Sequence, residues 1–360
     1  MSRTNTRLLQ AALRALRRTR TDTLAAPLTG GVGAIFMLHH VTPHTNEGFA
    51  PNRILSLTPE FLESVVDEVR EWGYDIVALD DIPERIATAE GRPPFVSFTF
   101  DDGYRDNRDY AYPIFKKRGL PMAIYVPSDF ADGIGDLWWL ALEGAIRMAD
   151  RVSCRIGGRA YDFRTRNDSE KEAAFHSLYW ALRQVPEDDA RAIVSGLARH
   201  AGFDTSDLCR KLVMSWDELR AFAADPLVTI GAHTTGHYAL AKLPLQRARE
   251  EMADSIKRVE TELGRPCRHF SYPYGSDSAA GEREFGLARE LGLQTAVTTR
   301  KGLLRPGHAT QLTALPRVSL NGDFQELGFV RTLLSGLPFA LMEACKQATR
   351  IGSLGFPARS

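Results

Sequence analysis

Cysteine is scarce in this chain of 360 residues, and the four present, Cys154, Cys209, Cys267 and Cys345, stand far apart. With no C-x-x-C pair, they suggest neither a thiolate zinc site nor a disulfide framework, and a reducing compartment is expected. A run of eighteen apolar residues is missing too, so no transmembrane helix is predicted. Net charge is absent: Lys+Arg and Asp+Glu both number 45. That balance gives no reason to expect a nucleic-acid partner, and it suits a neutral glycan or small-molecule substrate. Nor is there an uninterrupted apolar stretch of the kind a secretory signal needs, because Arg3, Arg7, Arg14, Arg17, Arg18 and Arg20 divide the N-terminal segment. The expectation is a cytoplasmic protein.

What is present begins with that basic segment. Leu8, Leu9, Ala12, Leu13 and Leu16 recur at helical spacing between the arginines. This reads either as a membrane-surface helix or as a solvated N-terminal helix, and the second reading is preferred. Peripheral membrane contact through this helix or an apolar C-terminal one stays open. The 44% hydrophobic content is enough for a sizeable core. Residues 1–32 read as helix and linker, 33–322 as the main domain, and 323–360 as a helical tail.

The most informative stretch is Phe95-Val-Ser-Phe-Thr-Phe-Asp-Asp-Gly-Tyr104. Its β-branched and aromatic run predicts a buried strand that ends in two adjacent carboxylates and a glycine. Two neighbouring acids repel, so a cation or a shared proton is expected between them. Around this stretch, strands predicted at 34–38, 74–79, 121–126, 227–232, 267–272, 293–298 and 315–320 alternate with helices. The rhythm predicts an α/β fold with a mostly parallel sheet, closed like a (β/α) barrel. It pauses between about 130 and 213, where a mainly helical insertion with a polar centre near 151–170 is predicted. Trp138 and Trp139 in that insertion read as core packing in preference to a sugar-stacking wall.

Polar groups cluster where three strands end, the position at which parallel α/β folds place their sites. Asp101 and Asp102 end one strand, His233 and His237 follow another, and Tyr272-Pro273-Tyr274 follow a third. Four residues apart, His233 and His237 share one face of a helical turn. Two imidazoles and a carboxylate make the three-ligand set of a catalytic zinc. Such an ion lowers the pKa of water, and a second carboxylate can serve as general base.

Phe98-Thr-Phe-Asp-Asp-Gly103, His233-Thr-Thr-Gly-His237 and Phe270-Ser-Tyr-Pro-Tyr-Gly275 resemble the first three motifs of the NodB-type polysaccharide deacetylases, carbohydrate esterase family 4. The resemblance runs from about 34 to 320, apart from the insertion. It implies a distorted (β/α)7 TIM-like barrel and a hydrolase that removes acetyl groups from sugar polymers with a divalent metal, zinc being expected and Co2+, Ni2+ or Mn2+ also compatible. A polysaccharide, a chitooligosaccharide-like chain or a glycolipid precursor would be the substrate. Carried over by position, Asp101 is the base, Asp102, His233 and His237 are the metal ligands, and the Tyr274 N–H stabilises the oxyanion. Two positions depart from the pattern. Ser271 stands where the family has an arginine that orients the base, and Arg317 in Leu315-Pro-Arg-Val318 is the candidate replacement. The same Leu-x-Arg element lacks the family's histidine acid. His39, His40 and His308 are the substitutes, with His39 favoured because Met37-Leu-His-His-Val-Thr42 resembles the family's Tyr-His-Arg-Val opening. These departures motivate a second hypothesis, a degenerate glycan-binding scaffold on the same barrel.

Overall fold

The computed structural model describes residues 3–43 and 48–354. Seven parallel strands form its centre: β1 (Gly33–Leu38), β2 (Phe95–Phe100), β3 (Met122–Val126), β4 (Val228–Ala232), β5 (His269–Ser271), β6 (Thr295–Lys301) and β7 (Leu315–Ser319). Each pairs with the next in the chain. β7 closes on β1 with Phe36 opposite Val318, and β1 runs beside β2 from Gly33↔Phe95 to Leu38↔Phe100. The sheet is therefore the closed seven-stranded barrel expected from the motifs. The strand predicted at 74–79 shrinks to Asp75–Ile76, which pairs only with Phe95 and Val96. The reason is competition for one edge: from Thr99 onward β3 occupies that side of β2.

Strands covered on both faces read as nearly continuous apolar runs, and every residue of β2 is buried. Val96, Phe98 and Phe100 face the outer helices, where Phe98 meets Phe36 and Phe115. Phe95 turns the other way, into the barrel interior with Ile35, Tyr125, Val297 and Leu315. Side chains alternate along a strand. Ser97, Thr99 and Asp101 thus follow Phe95 inward, and Arg317 follows Leu315. The outer helices start and stop on local signals. Thr58 caps Pro59–Glu71 by accepting from the Phe61 N–H at 3.2 Å. Ser215 and Glu218 form both halves of a capping box on Trp216–Ala223.

The insertion between β3 and β4 contains five helices: Ser128–Ala131, Trp138–Met148, Asp168–Leu182, Glu187–His200 and Leu208–Leu212. Its polar centre, to which no element had been assigned, is a β-hairpin, Arg151–Ile156 with Arg159–Arg164. Gly157 and Gly158 make the two-residue turn with φ of 55° and 81°, a conformation that favours glycine. Val152 and Ile156 then point into a core of the insertion's own, which includes both tryptophans. Trp138 and Trp139 are packing residues.

The termini meet. Helices Arg3–Arg18 and Thr21–Thr29 pack on Leu327–Leu334 and Leu337–Leu354. The preferred expectation of a merely solvated N-terminal helix is corrected by this contact. Leu13 is buried, Arg14 pairs with Glu326, and the Thr332 hydroxyl donates to buried Asp22 at 2.8 Å. No single helix among the described residues is long and apolar enough to cross a membrane.

Candidate active site

A continuing strand would send Asp101 into the barrel and Asp102 out of it. Asp102 instead adopts a left-handed backbone, φ 73°, and Gly103 follows at 70°. The turn brings both carboxylates over the C-terminal mouth of the barrel. Non-glycine residues in this region cost on the order of 1–3 kcal/mol each and concentrate at functional sites. Five occur among the described residues, and four of them, Asp102, Thr234, His237 and Tyr274, lie at this mouth.

Asp102, His233 and His237 are all buried, and their candidate ligand atoms lie within 4.8 Å of one another. The Nε2 atoms of His233 and His237 are 3.6 and 3.3 Å from Asp102 Oδ1. The histidines do not share a helical face, as their spacing had suggested. They sit on a loop after β4, bent by left-handed residues at Thr234 and His237, with the His237 N–H bonded to Thr234 Oγ1 at 2.9 Å. His233 Nδ1 donates to the Ser271 carbonyl at 2.6 Å, which leaves the Nε2 lone pair facing Asp102. Burial lowers the pKa of both imidazoles, and for His237 the neighbouring His233 adds to the effect, so neutral rings are favoured. Burial and the charge on Asp101 raise the Asp102 pKa well above the usual range. Its Oδ1 is buried with no hydrogen-bond partner. An orphaned carboxylate oxygen facing two neutral imidazoles fits a borderline divalent cation such as zinc.

The partner sought for Asp101 is present. Arg317 reaches across β1 from β7 and is wholly buried against it. Its Nη1 and Nη2 donate to Asp101 Oδ1 and Oδ2 at 2.8 and 2.7 Å. The other three N–H groups go to Thr298 O (2.9 Å), Thr99 Oγ1 (3.2 Å) and Ser271 Oγ (3.1 Å). A guanidinium has five donors, and all five are used. Burial alone would raise the Asp101 pKa, but the charge and fork of Arg317 outweigh it and hold the carboxyl well below its usual range. Ser271 leaves room for this group and accepts one of its hydrogen bonds.

His39, after β1, lies close enough to Asp101, Arg317 and His233 to feel their charges. Burial is the largest cause that brings its pKa down to about 4. The two other histidine candidates are engaged or distant. His40 bonds Asp106 at 2.6 Å and stacks on Tyr104. His308 follows Leu304, which pairs with Gly33 at the start of β1, so it lies at the opposite end of the barrel. Tyr274, φ 60°, has a backbone N–H that donates to no group among the described residues. Its ring lies 4.9 Å from that of His237, its hydroxyl accepts from Trp138 Nε1 at 2.8 Å, and the Arg183 guanidinium stacks on it at 3.5 Å. The insertion thus forms one wall of the site. Arg183 and Arg191 belong to that wall, and nothing local in the sequence singles them out.

Residues 186–296 match the sequence model of the polysaccharide deacetylase family, a span that includes His233, His237 and Tyr274. Asp101, Asp102 and Arg317 lie outside the matched span. No curated protein matches. Among solved structures, the Streptococcus pyogenes deacetylase PplD in complex with acetate is similar at TM-score 0.52 and 15% identity, over 83% of this chain and 97% of that one. IcaB from Ammonifex degensii gives TM-score 0.51 and 19% identity, over 84% and 97%. A de-N-acetylase from Aggregatibacter actinomycetemcomitans gives 0.53 and 14%, over 83% and 99%. At these identities the likeness is one of fold.

Proposed function

We propose that the protein is a metal-dependent deacetylase acting on N-acetylated sugars of a polysaccharide, an oligosaccharide or a glycolipid precursor. The observation that carries the reading is the juxtaposition of Asp101, held by the two-pronged Arg317 fork, with an orphaned Asp102 oxygen beside two imidazoles. Asp102, His233 and His237 would hold a divalent ion, most simply Zn2+, which when bound acidifies water and polarises a carbonyl. Asp101, kept ionised by Arg317, accepts a proton from the attacking water. The free Tyr274 N–H donates to the developing oxyanion, an interaction worth roughly 3 kcal/mol in comparable sites. His39 is neutral above about pH 4. It can pass a proton to the leaving nitrogen only by first accepting one, and the proton available is the one that Asp101 has taken from the attacking water. The test is acetate release from N-acetylated oligosaccharides by metal-loaded protein. Asp101→Asn should lower kcat by about 10²–10⁴ while metal content stays at the wild-type level. Undiminished turnover in that variant would remove Asp101 from the mechanism.

We also propose peripheral contact with an anionic membrane through the terminal helices. Leu8, Leu24, Leu28, Leu341 and Met342 are exposed there, and Arg3–Arg18 contains no acidic residue. Co-sedimentation with vesicles containing anionic lipid should fall on Leu24→Glu with Leu28→Glu. Equal sedimentation of variant and wild type would dismiss this contact.

A further inference from the structure

The two histidines of the candidate metal site are held differently. His233 has its ring fixed by the Ser271 carbonyl. His237 Nδ1 is buried and has no partner. Its ring touches other rings, those of Phe130, Trp139 and Tyr274, at centroid distances of 5.6, 5.1 and 4.9 Å. Ring contacts of this kind do not set the direction of a nitrogen lone pair as a hydrogen bond does. The direction is therefore left to the backbone, and the backbone of His237 is in the left-handed region, φ 59°.

That backbone is gripped from two sides. On the barrel side, Glu251 Oε2, from helix Leu245–Leu263, accepts from the Thr235 and Gly236 N–H groups at 3.1 and 2.9 Å. On the other side, Arg191, from helix Glu187–His200 of the insertion, donates through Nη2 to the carbonyls of Gly236 and His237 at 2.8 and 3.2 Å. The guanidinium lies 4.2 Å over the Tyr238 ring, and its side chain is only 11% exposed. One group thus ties down both peptides that flank the histidine and neutralises two carbonyl dipoles that the turn directs to the same place.

We infer that Arg191 is a positioning residue for metal binding: it does through the main chain of His237 what the Ser271 carbonyl does for the ring of His233. The insertion is then a working part of the metal site. This rests on the metal reading above. Partners that orient metal ligands typically change affinity about 10–100-fold when removed.

The experiment uses the full chain, stripped with a chelator and titrated with Co2+ followed by its visible absorption, with Zn2+ affinity measured by chelator competition. Arg191→Met should weaken binding about 10–100-fold. Arg191→Lys, which keeps a donor but loses the planar fork, should fall between it and wild type. Arg155→Met, at an exposed hairpin arginine, should bind like wild type. The unfolding temperature of the metal-free lysine variant should stay close to the wild-type value. Wild-type affinity in both Arg191 variants overturns the inference, as does a loss of affinity matched by an equal loss of metal-free stability. If the methionine variant does not fold, the lysine variant decides. A wild-type chain that takes up neither ion refutes the metal reading itself, a different outcome from an unchanged Arg191 variant.

Discussion

Replacing Arg317 with methionine removes five hydrogen bonds and the one cation bonded to Asp101, at a point where both side chains are almost fully buried. Breaking a buried ion pair from one side costs about 3–5 kcal/mol, because the other charge stays behind without a partner. A typical domain has about 5–15 kcal/mol of stability, so the variant should still fold, but with a large fraction of its margin gone. The pH dependence gives the sharper check. In the wild type the Asp101 pKa is depressed, so its contribution is present above the ordinary carboxyl range and is lost as pH falls toward the depressed value. In the variant the main opposing charge is gone, burial outweighs the smaller effects of His233 and His39, and the folded-state pKa rises above that of the unfolded chain. The folded protein then gains by binding a proton, and the deficit relative to wild type should be greatest near neutral pH and shrink on acidification. Urea unfolding of metal-free protein at about pH 7.5 and about pH 5 measures this directly. A deficit under about 1 kcal/mol near neutrality, or one indifferent to pH, would refute the assignment of Arg317 as the counter-charge.

Two further outcomes are expected. Because the His39 pKa is lowered to about 4, the unfolded chain binds its proton first as pH falls. Metal-free stability should therefore decline from about pH 6.5 to about pH 4, and the decline should be shallower in His39→Asn by up to about 1.4 kcal/mol per unit of pH; identical slopes would discount the burial of His39. Arg317→His alone should lower turnover by about 10²-fold or more, since Asp101 loses its fork. Adding Ser271→Arg, which restores the arginine that the motif resemblance led us to expect at that position, should recover a measurable part of the loss. No recovery would mean that the two positions do not exchange this role.

The barrel was legible because its strands are buried on both faces and so appear as uninterrupted apolar runs; β2 is the clearest case. The clustering of Asp102, His233 and His237 was legible because all three residues follow strand ends. The manner of their convergence was not. Left-handed residues at Asp102, Thr234 and His237 do what a helical turn had been expected to do, and an Asp-Asp-Gly or His-x-x-x-His spacing does not reveal the backbone angle. The hairpin in the insertion did carry a signal: Gly157-Gly158 between alternating segments fits a two-residue turn, and the polarity of its exposed face concealed it. Arg191 and Arg183 had none. Their contacts to the site are backbone carbonyls and a ring more than forty residues away, and the i,i+4 pair of Arg183 with Glu187 says nothing of them, so only the folded chain brings them to the site.

The barrel closes between its first strand and its last, and this gives the site a place in time. Asp101 is made early, while Arg317 arrives more than two hundred residues later. Until β7 slots in beside β1, the interior holds a carboxylate with nothing to balance it. A nascent chain that has produced the loops of Asp102, His233 and His237 still has an open seam and an unstable centre. The residue that keeps Asp101 ionised also latches the barrel. A chain cut before residue 315 would therefore lose the enclosing wall as well as the arginine, and would be prey for proteases before it could be an idle enzyme.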